Sequence, residues 1–105
     1  MFMESVLHLN LFKRWFLEIL NGTKKIEYRE IKPYWTKRLF TDGKPKKYDY
    51  IIFKNGYSKN SPEMKVEFFG VRIKEKYEIL LGKIVKERNI SFLINTICKV
   101  SKTEE

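Results

Sequence analysis

The spacing of hydrophobic residues changes repeatedly near the N-terminus, and each change marks a predicted element. Residues 6–9 alternate in period two, which predicts a short strand. Apolar residues then recur at helical spacing, with Asn10 as a candidate N-cap and Gly22 as the residue that ends the helix. We expect Trp15 and Phe16 to lie in the core. The predicted apolar face consists of Phe12, Trp15, Phe16, Ile19 and Leu20.

Period two returns directly after this helix and predicts a strand with one fully charged face. Lys25, Glu27 and Arg29 share that face. Ile26 and Tyr28 lie on the other, so core packing is the expected role of Tyr28. The strand therefore presents a row of charges to solvent or to a polar pocket.

A short helical turn is expected next. Pro33 favours a first helical position, which predicts a turn over residues 33–40. Asp42 and Gly43 have the chemistry of a tight turn. Residues 43–47 include three lysines and a proline and are expected to form an exposed loop.

The rest of the chain is rich in β-branched and aromatic residues and predicts mainly strands. The loop at residues 55–62 is too long for a two-residue turn, and Gly70 indicates a bulge or bend. Because strands outnumber helices and hairpin-like links join them, we expect an α+β fold with a curved mixed sheet or a small barrel, and not a doubly wound α/β fold. The predicted strands are residues 48–54, 64–73 and 77–81, the last resuming after Gly82 as far as Val85.

The length of 105 residues predicts a single domain spanning residues 1–105. We expect residues 86–100 to form a terminal helix or another extension, with strand left open, and residues 101–105 to fray. The longest apolar runs are too short to cross a membrane, and no secretory signal is recognisable. With one cysteine and one histidine, we expect no disulfide, no zinc site, no cofactor and a cytoplasmic location.

The formal charge of the chain is +9, and the distribution of this charge along the sequence is informative about function. Seven of the nine excess positive charges fall within residues 21–60. A composition rich in lysine, isoleucine and asparagine also follows from an AT-biased coding sequence, so bulk charge is weak support for a partner. Its concentration in one segment favours a functional basic surface.

The densest set of charged residues lies in this segment. A helix-ending glycine is followed within seven residues by Lys24, Glu27 and Arg29. One interpretation is a solvated surface ion pair, which contributes little to stability. The other is a polar pocket in which Lys24 and Arg29 donate to a phosphate or base carbonyl, while Glu27 accepts from an amine or orients Lys24.

This arrangement, Gly22-x-Lys24-x-x-Glu27-x-Arg29 after a strand and an amphipathic helix, resembles the signature of the ASCH domain, a member of the PUA-like superfamily. The resemblance covers about residues 5–85. Within the family, the chain is similar to a subgroup of small stand-alone ASCH proteins of phages and bacteria. Further downstream it includes Lys32-Pro33-Tyr34-Trp35, Arg38-Leu39, Phe53-x-Asn55-Gly56-Tyr57 and Met64-x-Val66-Glu67-x-x-Gly70.

The resemblance implies an α+β fold of the PUA-like type, a small curved β-barrel flanked by helices, whose cleft carries the motif and binds RNA or modified nucleosides. It also implies an alternative, a metal-independent amidohydrolase acting on an acylated nucleoside, with Lys24, Glu27 and Glu67 as its polar set. That enzyme class uses a threonine three positions after the lysine, where this chain has Glu27. A carboxylate does not replace an attacking hydroxyl, so the departure counts against hydrolysis.

Aromatic residues interleaved with the basic segment favour a nucleic-acid partner, because single strands are held by cations and by stacking on aromatic faces. We therefore expect a module that binds single-stranded RNA or a modified nucleotide. A protein-interaction domain from a mobile element, with incidental charge, remains open as a third function. The candidate binding residues are Lys24, Glu27, Arg29, Lys32, Tyr34, Trp35, Arg38, Asn55, Gly56 and Tyr57.

Overall fold

A computed structural model describes residues 3–91 of the chain. Within residues 3–91 the chain forms two helices and seven strands, and the last five of these elements are strands. In chain order they are β1 (Val6–Asn10), α1 (Lys13–Leu20), β2 (Ile26–Arg29), α2 (Pro33–Leu39), β3 (Phe40–Thr41), β4 (Lys44–Pro45), β5 (Tyr50–Lys54), β6 (Glu63–Ile73) and β7 (Tyr77–Arg88).

Five of these strands form one sheet in the order β1-β5-β6-β7-β2, and β3 pairs with β4 in a separate hairpin. Strands β1 and β5 are parallel, while the other neighbours are antiparallel. The sheet curls into a half-barrel, so its two edge strands, β1 and β2, approach each other. Arg29 on β2 bridges them, because its Nη2 donates to the backbone oxygen of Asn10 on β1 at 3.3 Å. The prediction of an α+β fold with a curved sheet is therefore confirmed.

The core joins the sheet to both helices. Phe16 and Ile19 close it from α1, and Leu39 closes it from α2. Strand residues alternate as the period-two pattern predicts, so that Leu7 and Leu9 are buried while His8 between them is exposed. The other buried hydrophobic residues are Leu11, Ile51, Phe53, Met64, Val66, Tyr77, Ile79 and Leu81.

Several turns follow the predicted glycine chemistry. Gly22 ends α1 with a φ of 87°, and Asp42 and Gly43 both have positive φ in the two-residue turn of the β3–β4 hairpin. Gly70 has a φ of 124° where the register between β6 and β7 shifts. The predicted bend at Gly70 is therefore confirmed.

The predicted N-cap is wrong. Phe12 precedes α1 and makes no side-chain capping bond, whereas Asn10 is the last residue of β1. The Asn10 side chain binds the backbone of Gly56 instead, with its Nδ2 2.6 Å from the Gly56 oxygen. This asparagine therefore joins β1 to the loop after β5.

The last strand is longer than predicted. β7 continues through Gly82 to Arg88, so residues 86–88 belong to the sheet. Most of the predicted terminal segment at residues 86–100, and all of the tail at residues 101–105, lie outside the described residues. Between residues 3 and 91, the structure contains no helix with the length and apolar character required to cross a bilayer.

Candidate functional site

A groove runs along the seam between β1 and β2, the two edges of the curled sheet. Its first compartment has a volume of about 410 Å³ and is covered on one side by α2. Its lining combines exposed rings, cations and the backbone of β1. The residues are His8, Leu9, Asn10, Arg29, Tyr34, Trp35, Arg38, Ile52, Lys54, Gly56 and Tyr57.

A second compartment of about 490 Å³ continues the groove toward α1. Four residues line both compartments, namely Asn10, Arg29, Trp35 and Tyr57. A further recess beside Lys24 adjoins the second compartment. The residues specific to the second compartment are Leu11, Phe12, Trp15, Glu27, Tyr28, Glu30, Lys32 and Lys76.

The floor of the groove contains a buried triad of charges. Glu27 is only 5% exposed, and its Oε2 lies 2.6 Å from Arg29 Nη2 and accepts from Arg29 Nε at 2.8 Å. Its Oε1 lies 3.4 Å from Lys24 Nζ. The side chains of Lys24 and Arg29 are themselves mostly buried. The solvated ion pair considered from the sequence is therefore wrong, and Glu27 faces inward with a cation at each oxygen.

Trp35 organises the arginines of the first compartment. The guanidinium carbon of Arg29 lies 4.7 Å from the centre of its ring, and that of Arg38 lies 5.4 Å away. Arg38 also donates to the Tyr34 hydroxyl at 2.8 Å and to the His8 backbone oxygen at 2.7 Å. Planar guanidinium groups bind phosphates and carboxylates through parallel hydrogen bonds, and this pair of arginines forms a wall of oriented guanidinium groups with that chemistry.

Tyr57 projects from the loop between β5 and β6 and is 91% exposed. The backbone beneath it is fixed, because Gly56 exchanges two hydrogen bonds with the Asn10 side chain. Asn55 donates from its side chain to the Leu11 backbone oxygen at 2.9 Å. A Cβ at Gly56 would lie 2.6 Å from Ser61 Oγ, and the φ of 122° is also strained for other residues. The loop therefore presents an exposed ring on a rigid support.

The groove is positively charged overall. Within residues 3–91, six cationic side chains line the two compartments and the adjoining recess, against two carboxylates. One of these carboxylates, Glu30, pairs with Lys32 at 2.8 Å at the exposed rim. The hydrogen bond and charge of Lys32 lower the pKa of Glu30, and Glu30 raises the pKa of Lys32 in return. The six cations outnumber Glu27 and Glu30, so an excess of positive charge faces the groove.

The structure brings together most of the residues that the sequence singled out, at the positions described above. Asn55 supports the loop without lining the groove. Glu67 lies elsewhere on β6, where its Oε1 accepts from the Lys83 backbone amide at 2.9 Å. The residues that do line the groove or its recess are Lys24, Glu27, Arg29, Lys32, Tyr34, Trp35, Arg38, Gly56 and Tyr57.

The polar set expected for hydrolysis does not assemble. Glu67 lies outside the groove that holds Lys24 and Glu27. The hydroxyl of Thr23 is bonded to Asn21 and to the Glu18 backbone oxygen, on the exposed turn after α1. No hydroxyl nucleophile is therefore placed beside Lys24 by these contacts.

Two aromatic residues expected in the core line the groove instead. Tyr28 is 46% exposed and Trp15 is 36% exposed. Lys24 Nζ lies between their rings, 4.9 Å from the centre of Trp15 and 5.2 Å from that of Tyr28. Helical spacing predicts that Trp15 shares a face with Phe16 but does not show where that face ends.

Within the described part of the chain, no three His, Cys, Asp or Glu side chains cluster as candidate metal ligands.

Comparisons of the chain with protein-family models, with curated proteins and with solved structures found no match. The resemblance to ASCH domains therefore stays a prediction, and function has to be argued from the groove.

Proposed function

We propose that the groove binds single-stranded RNA or a modified nucleotide. The observation that carries this proposal is the convergence of Arg29, Arg38 and several exposed aromatic rings on one groove. Cations bind the phosphate backbone, and aromatic faces stack on bases of any sequence. The arrangement supplies both kinds of contact within a single surface.

Each side chain has a distinct part in this proposal. Arg38 and Arg29 donate to phosphate or to base carbonyl oxygens from the wall formed with Trp35. The rings of Tyr34 and Tyr57 are 60% and 91% exposed and stack on bases. Glu27 has both oxygens occupied by cations, so it holds Arg29 in place and does not accept from a base.

A single strand fits this surface better than a duplex. Reading a duplex by a helix requires that helix to enter the major groove. Both α1 and α2 bury residues against the sheet, and α2 contributes Tyr34, Trp35 and Arg38 to the wall of the groove. Unstacked bases of a single strand are able to enter such a groove and meet its rings.

Titration of a fluorescent oligouridine of about eight nucleotides tests the proposal. We expect binding at about 50 mM salt that weakens strongly at about 200 mM, because phosphate contacts release counterions. Arg38→Ala should weaken binding by at least about tenfold, since a charge-assisted contact and its support of Tyr34 are both lost.

Lys37→Ala is the matched control. Lys37 neighbours Arg38 on α2, is exposed and does not line the groove, so its removal takes away the same charge from the same helix. Its expected effect is less than about threefold. No binding at low salt, or equal losses in the two variants, would contradict the proposal, and self-association without nucleotide affinity would favour the protein-interaction function.

A further inference from the structure

The groove is divided in two by the residues that its compartments share. These shared residues face each other across the groove: Arg29 and Trp35 belong to β2 and α2, and Asn10 and Tyr57 belong to β1 and the loop after β5. The volumes on the two sides are similar, about 410 Å³ and about 490 Å³. A ligand that fills both compartments therefore has to pass the guanidinium of Arg29.

Arg29 is held rigidly at this boundary. Its Nε and Nη2 bind Glu27, Nη2 also donates to Asn10, and the group lies over Trp35. Among the described residues, its third nitrogen, Nη1, has no hydrogen-bond partner. A fixed guanidinium with one free nitrogen is suited to bind an anion that crosses the boundary.

Each compartment also has its own exposed rings and cations. Tyr34 and Arg38 belong to the first compartment alone. Phe12, which is 80% exposed, and Lys76 belong to the second alone. Each compartment thus combines an exposed aromatic ring with a positive charge of its own, on either side of Arg29.

We propose that the groove binds two consecutive nucleotides of one strand, with one base in each compartment and the connecting phosphodiester at Arg29. This inference rests on the proposed function and adds the minimal ligand, a dinucleotide step. A mononucleotide fills one compartment and leaves the rings of the other without a stacking partner. A dinucleotide stacks on both sets of rings, and each stacked base adds affinity.

The direct test compares the affinity of the full chain for uridine 5′-monophosphate with its affinity for the dinucleoside monophosphate of uridine, by calorimetry at low salt. The dinucleoside should bind at least about tenfold more tightly. Charge alone predicts the opposite order, because the terminal phosphate of the mononucleotide carries more negative charge than the diester. Equal affinities within about twofold would overturn the inference.

A second comparison uses rings that belong to one compartment each. Tyr34→Ala and Phe12→Ala should each remove most of the advantage of the dinucleoside over the mononucleotide, at least about fivefold, because each removes an exposed ring from one compartment. Phe69→Ala is the matched control, because Phe69 is 65% exposed and lines neither compartment. If only one of the two groove variants loses the advantage, or neither does, a two-base site is excluded.

The inference and the proposed function fail in different ways. If the oligouridine of about eight nucleotides binds but gains nothing over the mononucleotide, the groove binds nucleotides singly and only the inference falls. If neither the oligouridine nor the dinucleoside binds at low salt, the proposed function falls and takes the inference with it.

Discussion

Glu27 is the residue that fixes the cationic end of the groove. Its carboxylate is 5% exposed and is shared between Lys24 and Arg29, which are themselves mostly buried. Burying charges is costly, and removal of one partner leaves the others uncompensated in a poorly solvated environment. The position of Arg29, and with it the division of the groove, therefore depends on this carboxylate.

Glu27→Gln should lower the free energy of unfolding by about 3 kcal/mol, because it preserves the side-chain shape but removes the buried negative charge between two cations. Urea denaturation followed by circular dichroism measures this change. Glu18→Gln is the control on the exposed pair with Arg14, where the expected loss is below about 1 kcal/mol. Similar losses in the two variants would show that the buried triad contributes no more to the free energy of unfolding than an exposed ion pair does.

The same residues show what the sequence does and does not predict. Period two in β2 correctly separates Glu27 from Tyr28, but it does not say which face is buried. Apolar content favours Tyr28, whereas the structure buries Glu27 because Lys24 and Arg29 neutralise it at the seam. Pairing across the fold decides the orientation, and a single strand contains no signal for it.

At the scale of elements, α2 determines the shape of the first compartment, because it carries Tyr34, Trp35 and Arg38. Tyr48 ties this helix to the rest of the fold: its hydroxyl donates to the Arg38 backbone oxygen at 2.5 Å, and its ring packs edge-on against Phe68. The last turn of α2 is thereby joined to the sheet.

Burial raises the pKa of Tyr48 above its usual value of 10.0, with the charge of Arg38 opposing this effect. The stability contributed by the neutral hydroxyl is fully present below pH 10.0 and is lost as the pH rises through the higher pKa of the folded state. The free energy of unfolding of the native chain should therefore fall more steeply between about pH 9 and about pH 11 than that of Tyr48→Phe.

Urea denaturation at pH values across this range makes the comparison. Tyr48→Phe starts from a lower stability at neutral pH, because the hydrogen bond to Arg38 is lost, at a cost of about 1 kcal/mol. The two curves should then converge at alkaline pH. Curves that stay parallel throughout would show that Tyr48 does not ionise differently in the folded and unfolded chains.

Most elements follow from local patterns, whereas their arrangement does not. The sequence predicts the turn at Asp42 and Gly43 but expects an exposed loop at residues 43–47, where the structure has β4 paired with β3, because Lys44 and Pro45 have low strand propensity. The parallel pairing of β1 with β5 joins residues 44 positions apart, such as Val6 and Tyr50. Contacts of this kind depend on the packing of the whole core and leave no mark in a local window.

At the scale of the whole molecule, the curl of the sheet turns a basic segment into a groove. Residues 21–60 carry seven of the nine excess positive charges, and this segment includes β2, α2 and β5. The sequence therefore predicts where the charge is concentrated. It does not predict that β1 forms the opposite wall, or that Asn10 and Phe12 take part, because those residues have no charge or motif that sets them apart.

The groove also places the only two tryptophans of the chain at separate points. Trp15 lines the second compartment, and Trp35 lines the boundary shared by both. Each indole N–H gives its own signal in a ¹⁵N-correlation spectrum of the native protein. These two signals report on ligand position without any substitution.

Titration of the ¹⁵N-labelled chain with an oligouridine of about eight nucleotides is therefore the most direct test of the groove as a binding site. Both indole signals and the backbone amides of Gly56 and Tyr57 should shift together, while those of Lys47 and Phe69, which line a different face, stay in place. Shifts confined to Lys47 and Phe69, or no shifts at all, would contradict the assignment of the groove.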